Sequence, residues 1–244
     1  MKEEVNYEFW KSWKNKNKQE VRYIKALEKA LNWIKRQNFM KDIESIYVKG
    51  SFVFRELGKK SDINVVPIIK NKKVIKVIKN IRDQNKEWLK PVEFLPIWIG
   101  ELSSNKRLKK LKFGNFQGKP DHFTVLLPYH KIVYGKRLNA INFKVRTDKK
   151  IYDDLKQAIQ DRFINLYEKG EFGFSQLTKQ VSHLFYWEKR LKGKTIPPSW
   201  KALKDKGTNN NLLQKTIYLR YRPTKNKQVR KRYIRELKKY LKNK

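Results

Sequence analysis

A glycine–serine pair followed about ten residues later by a polar strand start most constrains what this chain can fold into. Gly50-Ser51 predicts a tight turn, and the Ser-Asp-Ile-Asn segment over residues 61–64 opens a run of β-branched residues. Side chains two apart on a strand project from the same face, so Asp62 and Asn64 share one face. The pattern therefore predicts two metal-binding positions beside a turn that can bind phosphate.

The rest of the N-terminal part predicts alternating helices and strands. Pro67 inside one of the strands predicts a sheet edge or a strand end. A Lys-, Gly- and Asn-rich stretch over residues 103–120 predicts a basic loop. In chain order the predicted elements are a helix over 21–36, strands over 43–48 and 63–69, a helix over 74–81, and strands over 92–99, 123–127 and 132–134.

After Thr147 the apolar spacing becomes helical for the rest of the chain, with long helices predicted over residues 151–166 and 174–191. The last helix is basic, because residues 220–244 hold 12 Lys or Arg and a single acid, Glu236. We therefore predict two domains, residues 1–147 and 148–244. The expected fold class is α+β, a mixed sheet with flanking helices, followed by an all-helical C-terminal domain.

Charge narrows the class of partner. Sixty Lys and Arg against 23 Asp and Glu give a net charge of +37, which favours a polyanion such as a nucleic acid. An AT-rich genome would also raise the lysine content. With no cysteine the chain has neither disulfides nor thiolate metal sites. No segment predicts a signal peptide or a membrane span, so we expect a cytoplasmic protein with no membrane partner.

The α/β part resembles the polymerase-β-like nucleotidyltransferase superfamily over roughly residues 20–140. Gly50-Ser51 and the Ser-Asp-Ile-Asn-Val-Val segment over 61–66 match the family pattern of Gly-Ser, a spacer and Asp-hydrophobic-Asp, and Tyr134-Gly135 matches a later strand end. The resemblance implies a nucleotidyltransferase-type sheet. It also implies an enzyme that moves a nucleoside monophosphate from a nucleoside triphosphate (NTP) to an acceptor hydroxyl with Mg²⁺ or Mn²⁺.

The resemblance also implies roles for single residues. Asp62 would bind both metal ions, Asn64 stands where the family has the bridging acid, and Glu93 on the next strand would be the third acid. The nucleotide-binding residues would be Gly50, Ser51, Arg55 and Ser61. Plainer interpretations stay open, since Asp62 can be an ordinary turn residue, and Glu93 and Arg55 can be solvated charges.

Asn64 is the departure from the family pattern, because an amide offers a carbonyl oxygen but no charge. Two explanations compete. Either the chain is a natural or engineered inactive form, or a nearby acid compensates, for which Glu56 is the candidate. The three histidines, His122, His130 and His183, lack the spacing of metal ligands.

The acceptor suggested by the charge is RNA, with tRNA among the candidates. The basic surface favours a nucleic acid over a small molecule, and the resemblance also admits a protein acceptor. The alternative of another class is a non-catalytic RNA-binding protein on a degenerate nucleotidyltransferase scaffold. The predicted nucleic-acid contacts are Lys109, Lys110 and Lys112 in the central loop, and Arg220, Arg222, Arg230, Lys231, Arg232 and Arg235 near the C-terminus.

Overall fold

The structure is a computed structural model that describes residues 6–58, 61–108, 118–205 and 211–243. The chain divides into two compact units, Met1–Val145 and Arg146–Lys244. The predicted boundary after residue 147 concerns domains that fold by themselves, and it stays a prediction. Within the described ranges, no helix is both long enough and apolar enough to cross a bilayer.

The first unit is built on a mixed sheet, as predicted. Its strands are β1 (Ile43–Lys49), β2 (Ile63–Ile69), β3 (Val92–Phe94), β4 (Ile97–Trp98) and β5 (Lys131–Gly135). The order is β3-β2-β1-β5, and β4 also pairs with β2. β1 is antiparallel to both β2 and β5, whereas β3 and β4 run parallel to β2.

Helices cover both faces of this sheet. They are α1 (Lys18–Lys35), α2 (Lys72–Gln84), α3 (Lys86–Leu89), α4 (Ile99–Ser104) and α5 (Asp121–Val125). α1 and α2 pack their apolar stripes on the face that carries Val48 and Val65. The opposite face carries Tyr47 and Val66, and Phe123 of α5 packs there. Alternate residues of each strand therefore belong to different layers.

Three local predictions in this unit were wrong. The strand predicted over residues 92–99 is broken into β3 and β4, and Ile99 begins α4. Pro67 lies in β2, which is an interior strand. On the side of β2 that pairs with β3 and β4, the chain leaves the sheet between these two strands, so no ladder bond is lost at Pro67. Residues 123–127 are not a strand, because the first three of them belong to the helix α5, which ends at Val125. An Asp121–Asn105 hydrogen-bond pair, at 2.8 and 3.0 Å, holds the start of that helix. An apolar run as short as this one does not distinguish helix from strand.

The second unit is helical, as predicted. Its helical segments are α6 (Asp148–Ala158), a π-helical turn (Ile159–Phe163), α7 (Ile164–Glu168), α8 (Phe174–Leu191), α9 (Trp200–Asp205), α10 (Asn211–Tyr221) and α11 (Lys227–Lys242). α8 is the central helix, with Leu177, Val181, Leu184 and Trp187 fully buried. α11 buries Tyr233, Leu237 and Leu241 and leaves its basic face in solvent.

Candidate functional site

The predicted metal ligands meet on one face of the sheet in the first unit. Asn64 of β2 pairs with Lys49 of β1 on one side and with Glu93 of β3 on the other. These three side chains share the face that carries Tyr47, because residues two apart on a strand project alike. Asp62 stands two residues before Asn64 and therefore projects toward the same side. The pairing of the strands thus brings together residues that the sequence separates by up to 44 positions.

Asp62 and Glu93 also line one cavity of about 460 Å³ at the starts of β2 and β3. Both residues are exposed, and within the described chain Asp62 forms no ion pair. The other wall comes from the end of α2 and from the α3 region. Its basic residues, called here the α2–α3 rim, are Lys79, Arg82, Lys86 and Lys90.

Gly50 places the predicted phosphate-binding turn directly beside Asn64. Its φ of +82° lies in the left-handed region that favours glycine, so any side chain there would strain the backbone. A Cβ at this position would lie 3.7 Å from the Nδ2 atom of Asn64, which shows how close the turn is to β2. After Ser51 the chain continues in tight turns, with the Glu56 amide donating to the Ser51 carbonyl at 2.8 Å.

Arg55 fastens this turn to the fold. Its guanidinium donates from Nε and Nη2 to the two carboxylate oxygens of Glu20, at 2.7 and 2.9 Å. It also donates to the carbonyls of Lys14 and Asn15 and lies over the Trp13 ring. The Arg55 hydrogen bonds are the main reason that the pKa of Glu20, which is only 3% exposed, is lowered. Most donors of Arg55 are therefore engaged within the protein, and its predicted contact with the triphosphate stays a prediction.

Ser61 holds the start of β2. Its hydroxyl accepts a hydrogen bond from the Gly58 amide at 2.7 Å, and its carbonyl accepts one from the Tyr23 hydroxyl at 2.7 Å. Tyr23 lies on α1 and is almost fully buried. These bonds fix the direction in which Asp62 leaves the turn, so Ser61 positions the site whether or not it contacts a nucleotide.

The side chains of His130, Lys49, Asn64 and Glu93 are called here the row, and His130 lies at the end opposite Glu93. It directly precedes β5, lies beside Phe123 with ring centroids 4.8 Å apart, and is buried with no partner for Nε2 among the described residues. Burial lowers the pKa of His130 well below 6.5, and the nearby Lys49 lowers it further. His130 is therefore neutral at pH 7, and the row passes from a buried, closed end to an exposed end at Glu93.

The residues present fit one divalent cation better than two. Two carboxylates and an amide oxygen on one face offer the hard oxygen ligands that Mg²⁺ and Mn²⁺ accept. Within the described chain, no three acidic or histidine residues form a group that could hold a metal ion. In that part of the chain Glu56 therefore does not complete a set of three acids with Asp62 and Glu93. Lys49, next to Asn64 in the ladder, adds positive charge where a second acid would be needed.

The predicted nucleic-acid contacts are unevenly placed. Lys109, Lys110 and Lys112 lie outside the described residues. Arg222, Lys231, Arg232 and Arg235 are exposed, with Arg222 over the Tyr218 ring and Arg232 beside Glu236. Tyr218 and Tyr221 are each 57% exposed, as base stacking would require.

Two of the predicted contacts have structural roles. Arg230 donates to the Thr224 carbonyl and covers Phe174. Arg220 donates to the Ser175 carbonyl and lies over Trp200, and burial lowers its pKa. These two arginines hold the fold of the second unit, and their contact with nucleic acid stays a prediction.

Sequence reasoning missed three supports of the site. Glu20 carries a sequence signal, because Asn17 and Glu20 form a capping box at the start of α1. Its ion pair with Arg55 spans 35 positions and has no such signal. Lys49 and Lys79 were indistinguishable from the other basic residues until the strand register and the cavity placed them.

The mixed sheet with its Gly-Ser turn, and the helical second unit, are the features that the sequence predicted for a nucleotidyltransferase-type fold. A solved structure shows the same fold: spectinomycin adenyltransferase AAD(9) from Enterococcus faecialis, with ATP and spectinomycin. The match has a TM-score of 0.59 at 14% identity and covers 91% of this chain and 99% of the other. No family model and no curated protein sequence matches. The predicted resemblance is thus confirmed for the fold.

Proposed function

We propose that this protein transfers a nucleoside monophosphate from a nucleoside triphosphate to a hydroxyl of an acceptor, and that the acceptor is RNA. One observation carries the proposal. The Gly50 turn, Asn64, Asp62 and Glu93 meet at one end of the sheet although the sequence separates them. The fold supports nucleotidyl transfer in general, because the adenyltransferase that shares it was solved with ATP.

Each group has a distinct task in this proposal. The backbone of Gly50 and Ser51 presents amide groups to the triphosphate. Asp62 and Glu93, with the Asn64 amide oxygen, would hold a divalent cation. Such an ion, when bound, stabilises negative charge on the phosphoryl group. Glu93 also lies at the outer, exposed end of the row, where it can accept a proton from an incoming hydroxyl.

The choice of RNA rests on charge. A net charge of +37 attracts a polyanion and repels cations, which favours a phosphodiester acceptor over a basic small molecule. Exposed Tyr218 and Tyr221 next to Arg222 on the second unit add a surface on which unpaired bases can stack.

An extension assay with the chain and its Asn64→Asp variant tests the proposal. Each of the four labelled NTPs is supplied in turn with Mg²⁺ or Mn²⁺ and a short RNA pool. We expect the variant to incorporate label about 100-fold faster, because a carboxylate at a metal site contributes several kcal/mol. Asn64→Leu is the matched control, since it removes the amide oxygen without adding charge. If neither the wild-type chain nor Asn64→Asp incorporates label, the enzyme proposal is wrong.

A second function, RNA binding without catalysis, is favoured by one observation. Asn64 is paired with Lys49, so the centre of the row carries a positive charge and an amide instead of two acids. RNA binding by both proteins at moderate salt, with no transfer by either, would support this alternative.

A further inference from the structure

We propose that the acceptor RNA strand lies along the α2–α3 rim, with Lys79, Arg82, Lys86 and Lys90 contacting its phosphates. This inference rests on the proposed function, because it concerns the acceptor side of the same site. It names a surface of the first unit that the sequence did not single out, at the opposite side of the acids from the Gly50 turn.

The cavity joins the rim to the acids. Its lining holds the four basic residues of the rim, together with the acids Asp62, Asp83 and Glu93. A divalent cation on Asp62 and Glu93 would neutralise their charge, leaving Asp83 as the remaining acid of the lining. The cavity would then present an excess of positive charge to an incoming ligand.

The order of the strands indicates whether the NTP or the acceptor lies next to the rim. The Gly50 turn follows β1, on one side of Asn64, and Glu93 lies on β3, on the other side. In a phosphoryl displacement the attacking and leaving oxygens lie roughly in line. When the acceptor hydroxyl attacks the α-phosphorus of the NTP, a phosphodiester bond forms and pyrophosphate leaves. If the pyrophosphate leaves toward the turn, the attacking hydroxyl must approach from the β3 side, where the rim begins.

The chemistry of the rim favours a phosphodiester backbone. Within the described chain Lys79 forms no ion pair, although it is half-buried in the cavity wall. Arg82 forms an ion pair with the next residue, Asp83, at 2.6 Å. Lys90 forms one with Glu87, three positions earlier in the chain, at 2.7 Å. The Lys90–Glu87 pair is exposed, and such pairs contribute about 0–1 kcal/mol, so a phosphate can compete for Lys90. A cationic acceptor would be repelled from the same wall.

The salt dependence of RNA binding tests the inference. The probe is a fluorescent single-stranded RNA of about 12 nucleotides, within the usual size of a single-strand site. The test variant is Lys79→Ala/Lys86→Ala. The matched control is Lys73→Ala/Lys76→Ala, which removes the same charge from exposed positions of α2 outside the cavity lining. Thermal unfolding of both variants confirms that they fold.

We expect the slope of log K against log salt to fall by about 1.4 in the test variant, or about 0.7 for each lost phosphate contact. The control should keep the wild-type slope, and NTP affinity should stay unchanged in both. An equal change in both variants, or none in either, would overturn the inference. Weaker NTP binding by the test variant with an unchanged slope would assign the rim to the triphosphate and also overturn it.

The test separates this inference from the proposed function, because binding is measured without turnover. A slope that falls only in the test variant supports the rim even if Asn64→Asp proves inactive. Conversely, active Asn64→Asp protein whose RNA affinity ignores Lys79 and Lys86 would keep the transfer function and reject this path for the acceptor.

Discussion

The two sides of Asn64 differ in how the fold engages their polar and charged side chains. On the turn side, Arg55 is engaged by Glu20 and by two carbonyls, and His130 is buried and neutral. On the β3 side, Glu93 is exposed and Lys79 faces a cavity. The difference teaches that a count of charges does not locate a binding surface, because a buried charge must be satisfied by the fold before it can serve a ligand.

The largest expected effect comes from removing the charge of Asp62, the proposed metal ligand. On the proposed function, Asp62→Asn should lower the transfer rate of the Asn64→Asp protein by about 1,000-fold, because the proposed cation would lose a charged ligand. The exposed position of Asp62 predicts an unchanged fold. Labelled nucleotide incorporation measures the loss, with the melting temperature as control. Retained activity would show that Asp62 is not a metal ligand.

The next effect compares the two cations directly. Arg55→Ala should lower the free energy of unfolding clearly more than Lys79→Ala does, since the buried Glu20 carboxylate loses its main partner. Lys79→Ala should change it by less than about 0.5 kcal/mol. Urea denaturation at pH 7 measures both values. Equal losses would mean that Lys79 is also part of the folded framework.

Acid should reduce the effect of Arg55→Ala. The pKa of Glu20 is lowered in the fold, so its contribution is present above the unfolded value of 4.5 and is lost as the pH falls through the folded value. The difference in unfolding free energy between the wild-type chain and Arg55→Ala should therefore shrink as the pH falls below 4.5. Urea titrations at several pH values measure it. A difference that stays constant would show that Arg55 acts by packing on Trp13 rather than by charge.

The smallest expected effect comes from the buried end of the row. The pKa of His130 is lowered in the fold, so the unfolded chain takes up a proton first and stability falls as the pH drops below 6.5. Between pH 6.5 and 5.5 the wild-type chain should lose about 1 kcal/mol more than His130→Phe. Phenylalanine keeps the ring packing on Phe123 and cannot titrate. Parallel curves for both proteins would mean that folding does not lower the pKa of His130.

Local patterns predicted much of the first unit. Alternation and helical spacing gave β1, β2 and α1 to within a few residues, because each element buries a continuous apolar stripe. The short run over residues 123–127 did not reveal its helix, since periodicity cannot classify so few residues. Pro67 predicted a sheet edge or a strand end. The sequence of β2 carries no sign of the break between β3 and β4 that accommodates this proline inside the sheet.

The sequence by itself determined the turn at Gly50 and the polar strand start, because glycine at positive φ and period-two alternation are local properties. It also determined the helical character of the second unit and the excess of positive charge. Only the tertiary structure decided that Lys49 and Glu93 flank Asn64, that Arg55 is engaged by Glu20, and that the α2–α3 rim shares a cavity with the acids. All of these are contacts between residues that are distant in the sequence. Strand register and burial determine such contacts, and both arise only when the whole unit packs.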